Sequence, residues 1–311
     1  VSCTVGTMDL TSRTQWRVKI VLPKNKTYFE THSSWFNPTT DNQSYYYWTN
    51  AAIRAKDDLA LYFPGNKYLE HNGRENKWPI DKLGRDISKY NQNKFGGSYG
   101  GDKSYHVVGA FEDYYGGYYQ GKKLGFGHWA RYSDLPGQKI WLWSQANSGG
   151  IWEDFLTDNN GQYIEVQSGR LFNQYSRDKH NNPINKVSFE PHAYDSWKEA
   201  WFPIKSIGGL TAVTTDAALN LTVKDSKLTI SINALGNISD DLIIIDSGKE
   251  IYRNKISMSP SDVDKFEVKI SGENIQLKLG SETINYSNNT KDQPIKRSFH
   301  SDNDIQIDNI L

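Results

Sequence analysis

The stretch GQYIEVQSGRLFNQ, residues 161–174, contains the side-chain alternation on which the interpretation of this chain depends. Successive side chains of a β-strand point to opposite faces, so Ile164 and Val166 are expected to pack on one side. Glu165 and Gln167 then project together from the other side. A carboxylate beside an amide can bind a ligand, although alternate strand positions are also ordinarily solvated.

The segment KIWLWSQ, residues 139–145, alternates in the same way. Its two aliphatic residues are expected in the core, which places Trp141, Trp143 and Gln145 on the opposite face. A single tryptophan in a β-protein is more often a core residue than a ligand platform. Two indoles at this spacing, however, form a flat apolar shelf with polar tips.

These two segments together predict a carbohydrate site. A sugar ring has an apolar C–H face and a belt of hydroxyl groups, so its site requires aromatic faces beside carboxylate, amide and guanidinium groups. The chain supplies that combination as Trp141, Trp143, Glu165, Gln167 and Arg170. We therefore expect an aromatic-lined site with a carbohydrate ligand.

The rest of the first 204 residues also has the period-two pattern of strands. In QWRVKIVLP, residues 15–23, Trp16, Val18, Ile20 and Leu22 fall on one face, which predicts a half-buried strand. Helix-period stretches are nearly absent. Long loops rich in Gly, Asn and Asp separate the strands, as in NQNKFGGSYGGDKSYH. The predicted fold class is all-β.

The aromatic residues indicate where one domain ends. Every Trp lies at or before Trp201, and the composition changes near residues 203–210. Beyond that point, short alternating runs separated by Asp-Ser, Ser-Gly and Gly-Asn pairs are typical of a small β-sandwich. We predict a first domain over 1–209, an immunoglobulin-like β-sandwich over 210–290 and a polar tail or linker over 291–311.

Composition argues against several classes of partner. Lys plus Arg and Asp plus Glu both total 36, so no excess of positive charge supports nucleic-acid binding. No run of about 18 apolar residues predicts a membrane span. The single cysteine, Cys3, cannot form an internal disulfide or a cysteine-based zinc site, and Asp154 and Asp158 lack calcium-loop spacing. The sequence predicts no metal and no cofactor.

Several long strings resemble known families. IEVQSGRLFNQ is similar to the segment that carries the catalytic base of aldose 1-epimerases, or galactose mutarotases, and YYYWTNAA resembles their segment with a Thr-Asn pair. A closer resemblance is to an uncharacterised bacterial family with a galactose mutarotase-like β-supersandwich, often followed by a small β-sandwich and helical repeats. It rests on YYYWTNAA, FGHWARYSDLPGQKIWLW, GGIWEDFLTDNNGQYIEVQSGRLFNQ and WFPIKSIGGL, in this order. The resemblance implies the supersandwich fold and a site that includes Trp48 and Asn50.

One residue departs from the epimerase pattern. Those enzymes have a general-acid His directly after the Thr-Asn pair, whereas Ala51 follows here. His128, between two glycines in GFGHWARY, is the best replacement, because a histidine can donate or accept a proton at neutral pH. We therefore expect a cleft between His128 and Glu165. His106 is a second candidate, and His71, in the turn-like HNGREN, is predicted at the surface.

Three hypotheses of function follow. The first is a glycosidase-like hydrolase, in which Glu165 pairs with His128 or with a loop carboxylate, and the loop candidates are Glu112, Asp113, Glu153 and Asp154. The second is an aldose 1-epimerase-like isomerase with Glu165 as base and His128 as acid. The third is a non-catalytic carbohydrate-binding or interaction module. Glycan processing by a soluble bacterial protein favours a periplasmic or secreted location.

The first residues predict an additional partner. VSCTVGTMDL leads directly into strand-like sequence, and the resembling family has further strands before this point. A sheet without those strands exposes unpaired backbone groups and an apolar face. We expect a missing N-terminal fragment or a second chain to complete the sheet.

Overall fold

The computed structural model describes residues 1–93, 102–144, 147–174 and 187–287. Its elements before residue 206 are almost all strands. They are β1 (Ser2–Met8), β2 (Gln15–Val21), β3 (Phe29–Phe36), β4 (Gln43–Tyr45), β5 (Trp48–Arg54), β6 (Leu59–Tyr62), β7 (Lys67–Leu69), β8 (Glu75–Lys77), a 3-10 helix (Tyr90–Asn93), β9 (Lys103–Val108), β10 (Tyr114–Tyr119), β11 (Leu124–Trp129), β12 (Gly137–Leu142), α1 (Asn147–Leu156), β13 (Tyr163–Gly169), β14 (Val187–Phe189) and β15 (Tyr194–Lys205).

Most of these strands form two large sheets whose neighbours are antiparallel. One sheet has the order β1-β2-β3-β15-β11-β10-β6, and the other has the order β5-β13-β12-β9-β7-β8. The two sheets share one core, in which Ile140, Ile164 and Val166 of the six-stranded sheet pack with Leu61 and Tyr115 of the seven-stranded sheet. A short ladder of β4 with β14 stands apart from them. The all-β prediction is confirmed.

The alternation predicted for residues 161–174 is present in β13. Ile164 is 1 % exposed and Val166 is fully buried in the core between the sheets. Glu165 and Gln167 therefore lie on the outer face, by which we mean the side of the six-stranded sheet turned away from the seven-stranded sheet. The alternation within β13 therefore places the Glu165 carboxylate on the outer face, as predicted.

Strand β2 forms as predicted, but its expected apolar face is only partly covered. Ile20 is 40 % exposed, and Leu22, just beyond the strand, is 57 % exposed. The cause is position, because β2 lies next to β1, an edge strand whose residues are all exposed. The N-terminal fragment or second chain that would cover this edge stays a prediction.

The chain after residue 210 forms a second pair of sheets. Its strands are β16 (Ala212–Val213), β17 (Ala217–Lys224), β18 (Lys227–Ala234), β19 (Ile238–Asp246), β20 (Lys249–Met258), β21 (Val263–Lys269), β22 (Asn274–Leu279) and β23 (Glu282–Ser287). The sheet orders are β16-β17-β18-β21 and β20-β19-β22-β23, and aliphatic residues from both sheets form one core. This is the small β-sandwich that the sequence predicts, while the tail over 291–311 lies outside the described residues.

The two halves of the chain are in contact. Tyr118, Phe202 and Ile204 of the first part share a buried cluster with Ala218 and Leu235 of the second. A backbone hydrogen bond also joins the Thr27 amide to the Leu235 carbonyl, at 2.9 Å. Within the described ranges, no helix has the length and hydropathy needed to cross a membrane.

Candidate functional site

The outer face carries two adjacent rows of side chains that cross several strands. In one row, Glu165 on β13 lies between Ala52 on β5 and Trp141 on β12, and Ser104 on β9 follows Trp141. The next row is centred on Gln167 of β13. Asn50 on β5 and Lys139 on β12 lie on either side of it, and His106 on β9 follows Lys139. The register therefore gathers polar groups from four strands around Glu165.

Aromatic rings border these rows. The Trp141 and Trp143 rings are 5.5 Å apart and meet edge to face, and Trp143 contacts Trp152 of α1 at 5.2 Å. Trp48, at the start of β5, contacts the His106 ring at 5.7 Å. Trp48, Trp141 and Trp143 are all half-buried. The two indoles share the predicted face, but their planes are nearly perpendicular, at 86°, so they do not form the flat shelf that the alternation of residues 139–145 predicts. Gln145 lies outside the described residues.

Glu165 is held in place by its own strand and faces a buried cation. Gln167 Nε2 donates a hydrogen bond to Glu165 Oε2 at 2.8 Å. Lys139 is 2 % exposed, its Nζ lies 4.9 Å from the centre of the Trp141 ring, and it donates a hydrogen bond to Gln174 Oε1. Burial lowers the pKa of Lys139 to about 8, and the charge of Glu165 opposes that shift. The face thus combines a half-buried carboxylate with an ammonium that can lose its proton near neutral pH.

Two histidines lie near Lys139, His106 in the same row and His71 in the turn that follows β7. His106 is fully buried, its Nδ1 lies 2.9 Å from the Leu69 carbonyl, and its Nε2 accepts a hydrogen bond from the Gln174 amide at 3.0 Å. These contacts fix a neutral ring, and burial together with the Lys139 charge lowers its pKa to about 3. His71 is half-buried rather than at the surface as predicted, and burial lowers its pKa to about 4.

Unsatisfied polar atoms concentrate on this face. Among the described residues, most of the buried side-chain nitrogen and oxygen atoms without a hydrogen-bond partner lie here or at its edge. They are Trp48 Nε1, His71 Nε2, Ser104 Oγ, Trp141 Nε1, Trp143 Nε1, Gln167 Oε1 and Asn173 Oδ1. A buried polar group that lacks a partner is destabilising by about 1–3 kcal/mol, so native proteins rarely leave several together. These atoms are shielded from solvent, so a ligand on this face contacts the partly exposed rings and the Glu165 carboxylate rather than these atoms.

A cleft adjoins the outer face at one end. It has a volume of about 1280 Å³ and is lined by Ser104, Trp141 and His71, by residues of the β7–β8 hairpin and by the turn at residues 81–85. The row that contains Glu165 therefore runs into an open cavity. Within the described part of the chain, no group of three His, Cys, Asp or Glu side chains is arranged to hold a metal ion.

The family follows from a comparison of the sequence with family models. Residues 1–204 match the model of the domain of unknown function DUF5107. The chain belongs to this family. The resemblance to an uncharacterised bacterial family is thereby confirmed for this DUF5107 chain.

Solved structures show a related fold. A TPR-domain containing protein from Parabacteroides distasonis aligns with a TM-score of 0.54 at 20% identity, over 68% of this chain and 34% of that protein. A putative aldose 1-epimerase from Klebsiella pneumoniae gives 0.47 at 10% identity, over 65% and 50%. A galactose mutarotase-like protein from Lactobacillus casei gives 0.43 at 13%, over 65% and 69%. The DUF5107 chain spans about a third of the Parabacteroides protein and half of the Klebsiella protein. It shares a fold with the Parabacteroides protein over 68% of its length, and its described residues form two large packed sheets followed by a small β-sandwich.

The structure does not bring His128 to Glu165, which corrects the predicted cleft between them. His128 is 2 % exposed and lies between the two large sheets, where its Nε2 donates to Glu199 Oε2 at 2.9 Å. Its ring stacks on Tyr115 at 4.4 Å. Ser168 of β13 faces the space between the sheets, and its Oγ lies 3.3 Å from His128 Nε2. Glu165 is three residues earlier in the same strand, so its side chain points to the opposite face. His128 in this DUF5107 chain is a core residue.

Arg170 is also placed elsewhere. Its guanidinium makes two hydrogen bonds to Asp195, at 2.9 and 2.7 Å, and a third to the Asp134 carbonyl. It also lies 5.2 Å from the Trp197 ring. These contacts occupy the guanidinium, so Arg170 joins β13 to β15 rather than facing the site. Of the other predicted binding residues, Asn50 is exposed beside Gln167.

The predicted loop carboxylates differ in their surroundings. Glu112 and Asp113 precede β10 of the seven-stranded sheet, and Asp113 Oδ1 accepts a hydrogen bond from the Tyr132 amide at 2.7 Å. Glu153 and Asp154 lie on α1, a helix that the sequence pattern did not predict. The sequence analysis did not include Lys139 among the site residues. Lys139 lies two residues before Trp141, so the same strand alternation that places Trp141 and Trp143 on the outer face also places Lys139 there.

Replacing Gly169 with Ala is expected to destabilise the fold by about 1–3 kcal/mol, because inserted atoms in a packed region force neighbours to shift. A Cβ at this position would overlap the Trp48 indole, which lies across Gly169. Chemical denaturation followed by tryptophan fluorescence measures the change. Gly150→Ala is the control, since nothing lies within 4 Å of a Cβ there. Equal stability of the two variants would contradict the close packing of Trp48.

Proposed function

We propose that this protein binds a carbohydrate on the outer face of the six-stranded sheet, around Glu165. One observation carries the proposal: the partly exposed indole rings of Trp141 and Trp143 lie on the same face as the partly exposed Glu165 carboxylate. Aromatic rings accept the C–H side of a sugar ring, while its hydroxyl groups can donate to the Glu165 carboxylate and accept from the exposed Asn50 amide. A purely apolar ligand would cover the carboxylate without giving it a hydrogen bond.

Hydrolysis of a glycosidic bond is less well supported than binding. That reaction usually requires two carboxyl groups on either side of the scissile bond. Among the described residues, the hydrogen bond to the Glu165 carboxylate comes from an amide, that of Gln167. Asp113, one of the predicted partners, uses its carboxylate to hold the Tyr132 amide. We therefore place sugar binding first.

A second candidate function is the interconversion of sugar anomers. The specific observation that favours it is that Glu165 and Lys139 occupy diagonal positions on neighbouring strands of the same face. Burial also lowers the pKa of Lys139 to about 8. Ring opening requires a base to take the proton of the anomeric hydroxyl and an acid to protonate the ring oxygen. Glu165 would be the base and Lys139 would be the acid, which is the role that the sequence predicted for His128.

Replacing Trp141 with Ala is expected to weaken sugar binding about 10- to 100-fold. Burial of a large side chain contributes about 1.5–3 kcal/mol, and each 1.4 kcal/mol is tenfold in affinity. Titration calorimetry against a panel of mono- and oligosaccharides measures the change. Tyr194→Ala, which removes a ring that is 66% exposed on the other large sheet, is the control. A sugar that binds the Trp141→Ala variant and the parent equally would place its site elsewhere.

A further inference from the structure

The cleft beside the outer face is larger than a site for one sugar unit requires. Its volume of about 1280 Å³ exceeds the roughly 300–1,000 Å³ of ordinary small-molecule sites. Neighbouring strands are about 4.8 Å apart, so Ser104, two strands from Glu165, lies roughly 10 Å across the sheet. A sugar over Trp141 therefore leaves the cleft free for further units.

The outer face and the cleft are continuous. Trp141, Ser104 and His71 are partly exposed and line the cleft where it meets the outer face. The Trp141 and His71 rings are 5.4 Å apart. A chain of sugars that passes from the outer face into the cleft would meet these three side chains in succession.

The cleft also has more positive than negative side chains. The ion pair of Asp81 with Arg85 cancels one charge of each sign, and Glu70 stays negative although it accepts a hydrogen bond from Asn76 at 2.9 Å. Arg74, Lys77 and Lys82 are exposed, and none of them forms an ion pair with another described residue. The charged residues of the lining are Arg74, Lys77, Lys82, Arg85 and Lys103 against Glu70, Asp81 and Asp102.

The surplus belongs to the cleft lining, since the charge of Lys139 beside Trp141 is offset by the neighbouring Glu165 carboxylate. Fields in a cleft with low-dielectric walls are focused, so charge of one sign raises the local concentration of ligands of the other sign. A neutral glycan would gain nothing from this arrangement, whereas an anionic glycan would.

We propose that the cleft extends the site around Glu165 into a binding site for an anionic oligosaccharide of at least two sugar units. The first unit lies over Trp141, and the carboxylate or sulfate groups of the following units contact Arg74, Lys77 and Lys82. This inference rests on the proposed sugar binding and specifies its substrate class.

Calorimetric titration of the full chain with galacturonic acid oligomers of one to four units tests this inference. Affinity is expected to rise at least about tenfold from one unit to three and to fall by a similar factor when the carboxylates are methyl-esterified. It is also expected to weaken as salt concentration rises, because salt screens exposed charges. A sulfated galactan oligomer measured in parallel distinguishes sulfate from carboxylate as the preferred group.

Charge reversal locates the contact. The double variant Arg74→Glu, Lys77→Glu is expected to lose at least about tenfold in affinity for the anionic trimer and to keep its affinity for the neutral ester. Lys122→Glu is the matched control, since Lys122 is an exposed lysine in the turn between β10 and β11 of the other sheet. Both changes are at exposed positions, so circular dichroism should show an unchanged fold.

The outcomes separate the two proposals. If esters and acids bind equally, or if one unit binds as tightly as three, the anionic oligosaccharide is wrong while sugar binding stands. If no member of either series binds and no sugar of the mono- and oligosaccharide panel binds, both proposals are wrong. Tighter binding of the sulfated oligomer, lost in the double variant, supports the inference and identifies the anionic group as sulfate.

Discussion

Replacing His128 with Ala is expected to lower the free energy of unfolding by about 3–5 kcal/mol. The side chain of Glu199 is fully buried, and His128 Nε2 donates to its carboxylate at 2.9 Å. Removing one partner of a buried pair leaves the other charge without full compensation, which is destabilising by this amount. The variant also loses the stacking contact with Tyr115. Urea denaturation followed by tryptophan fluorescence measures the loss.

The remaining donors explain why the carboxylate is held so firmly. Thr49 Oγ1 donates to Glu199 at 2.8 Å and Tyr47 at 3.0 Å, so β5 of one large sheet is tied to β15 of the other. Burial by itself raises the pKa of Glu199, but the hydrogen bonds from His128, Thr49 and Tyr47 outweigh it, so the pKa lies below its ordinary value. The stability that this group contributes is therefore present above the unfolded pKa and lost as pH falls through the lower folded pKa.

The chain offers a matched control for this experiment. His32 and Glu30 form a second His–Glu pair, at 2.8 Å, on the same large sheet, but the His32 side chain is 43% exposed. Exposed pairs contribute only about 0–1 kcal/mol, so His32→Ala should change stability little. Similar losses for the two variants would mean that burial of the Glu199 pair does not matter.

Replacing Glu165 with Gln is expected to slow anomer interconversion about 10²- to 10⁴-fold, the usual contribution of a general acid or base. The amide keeps the shape of the side chain but cannot accept the proton of the anomeric hydroxyl. Sugar affinity should change much less, because Trp48, Trp141 and Gln167 remain. Exchange between anomers, followed by NMR with a series of aldoses, measures the rate.

Two further measurements sharpen this test. The rate of the parent protein should fall as pH rises through about 8, since Lys139 then loses the proton it has to donate. Glu153→Gln serves as the carboxylate control, because Glu153 lies on α1 and was a partner in the hydrolase hypothesis. If Glu153→Gln rather than Glu165→Gln abolishes the reaction, the base has been assigned to the wrong residue. If the parent shows no exchange, sugar binding alone is retained.

The sequence by itself determined which side chains share a face. Strand alternation is a local property of the backbone, so Ile164 and Val166 could be assigned to the core and Glu165 and Gln167 to the opposite side without knowledge of their neighbours. The same rule placed Trp141 beside Trp143. These assignments hold because covalent geometry fixes the direction of successive side chains.

Only the tertiary structure decided what lies opposite those faces. Strand order brings Lys139 and His106 into the row beside Gln167, and no pattern within β9 or β12 specifies that pairing. It also puts His128 between the sheets, although its flanking glycines suggested a ligand site, and it leaves Ile20 exposed near a sheet edge. Burial depends on which distant strands meet, because contacts between sheets join residues far apart in the chain, and alternation carries no information about them.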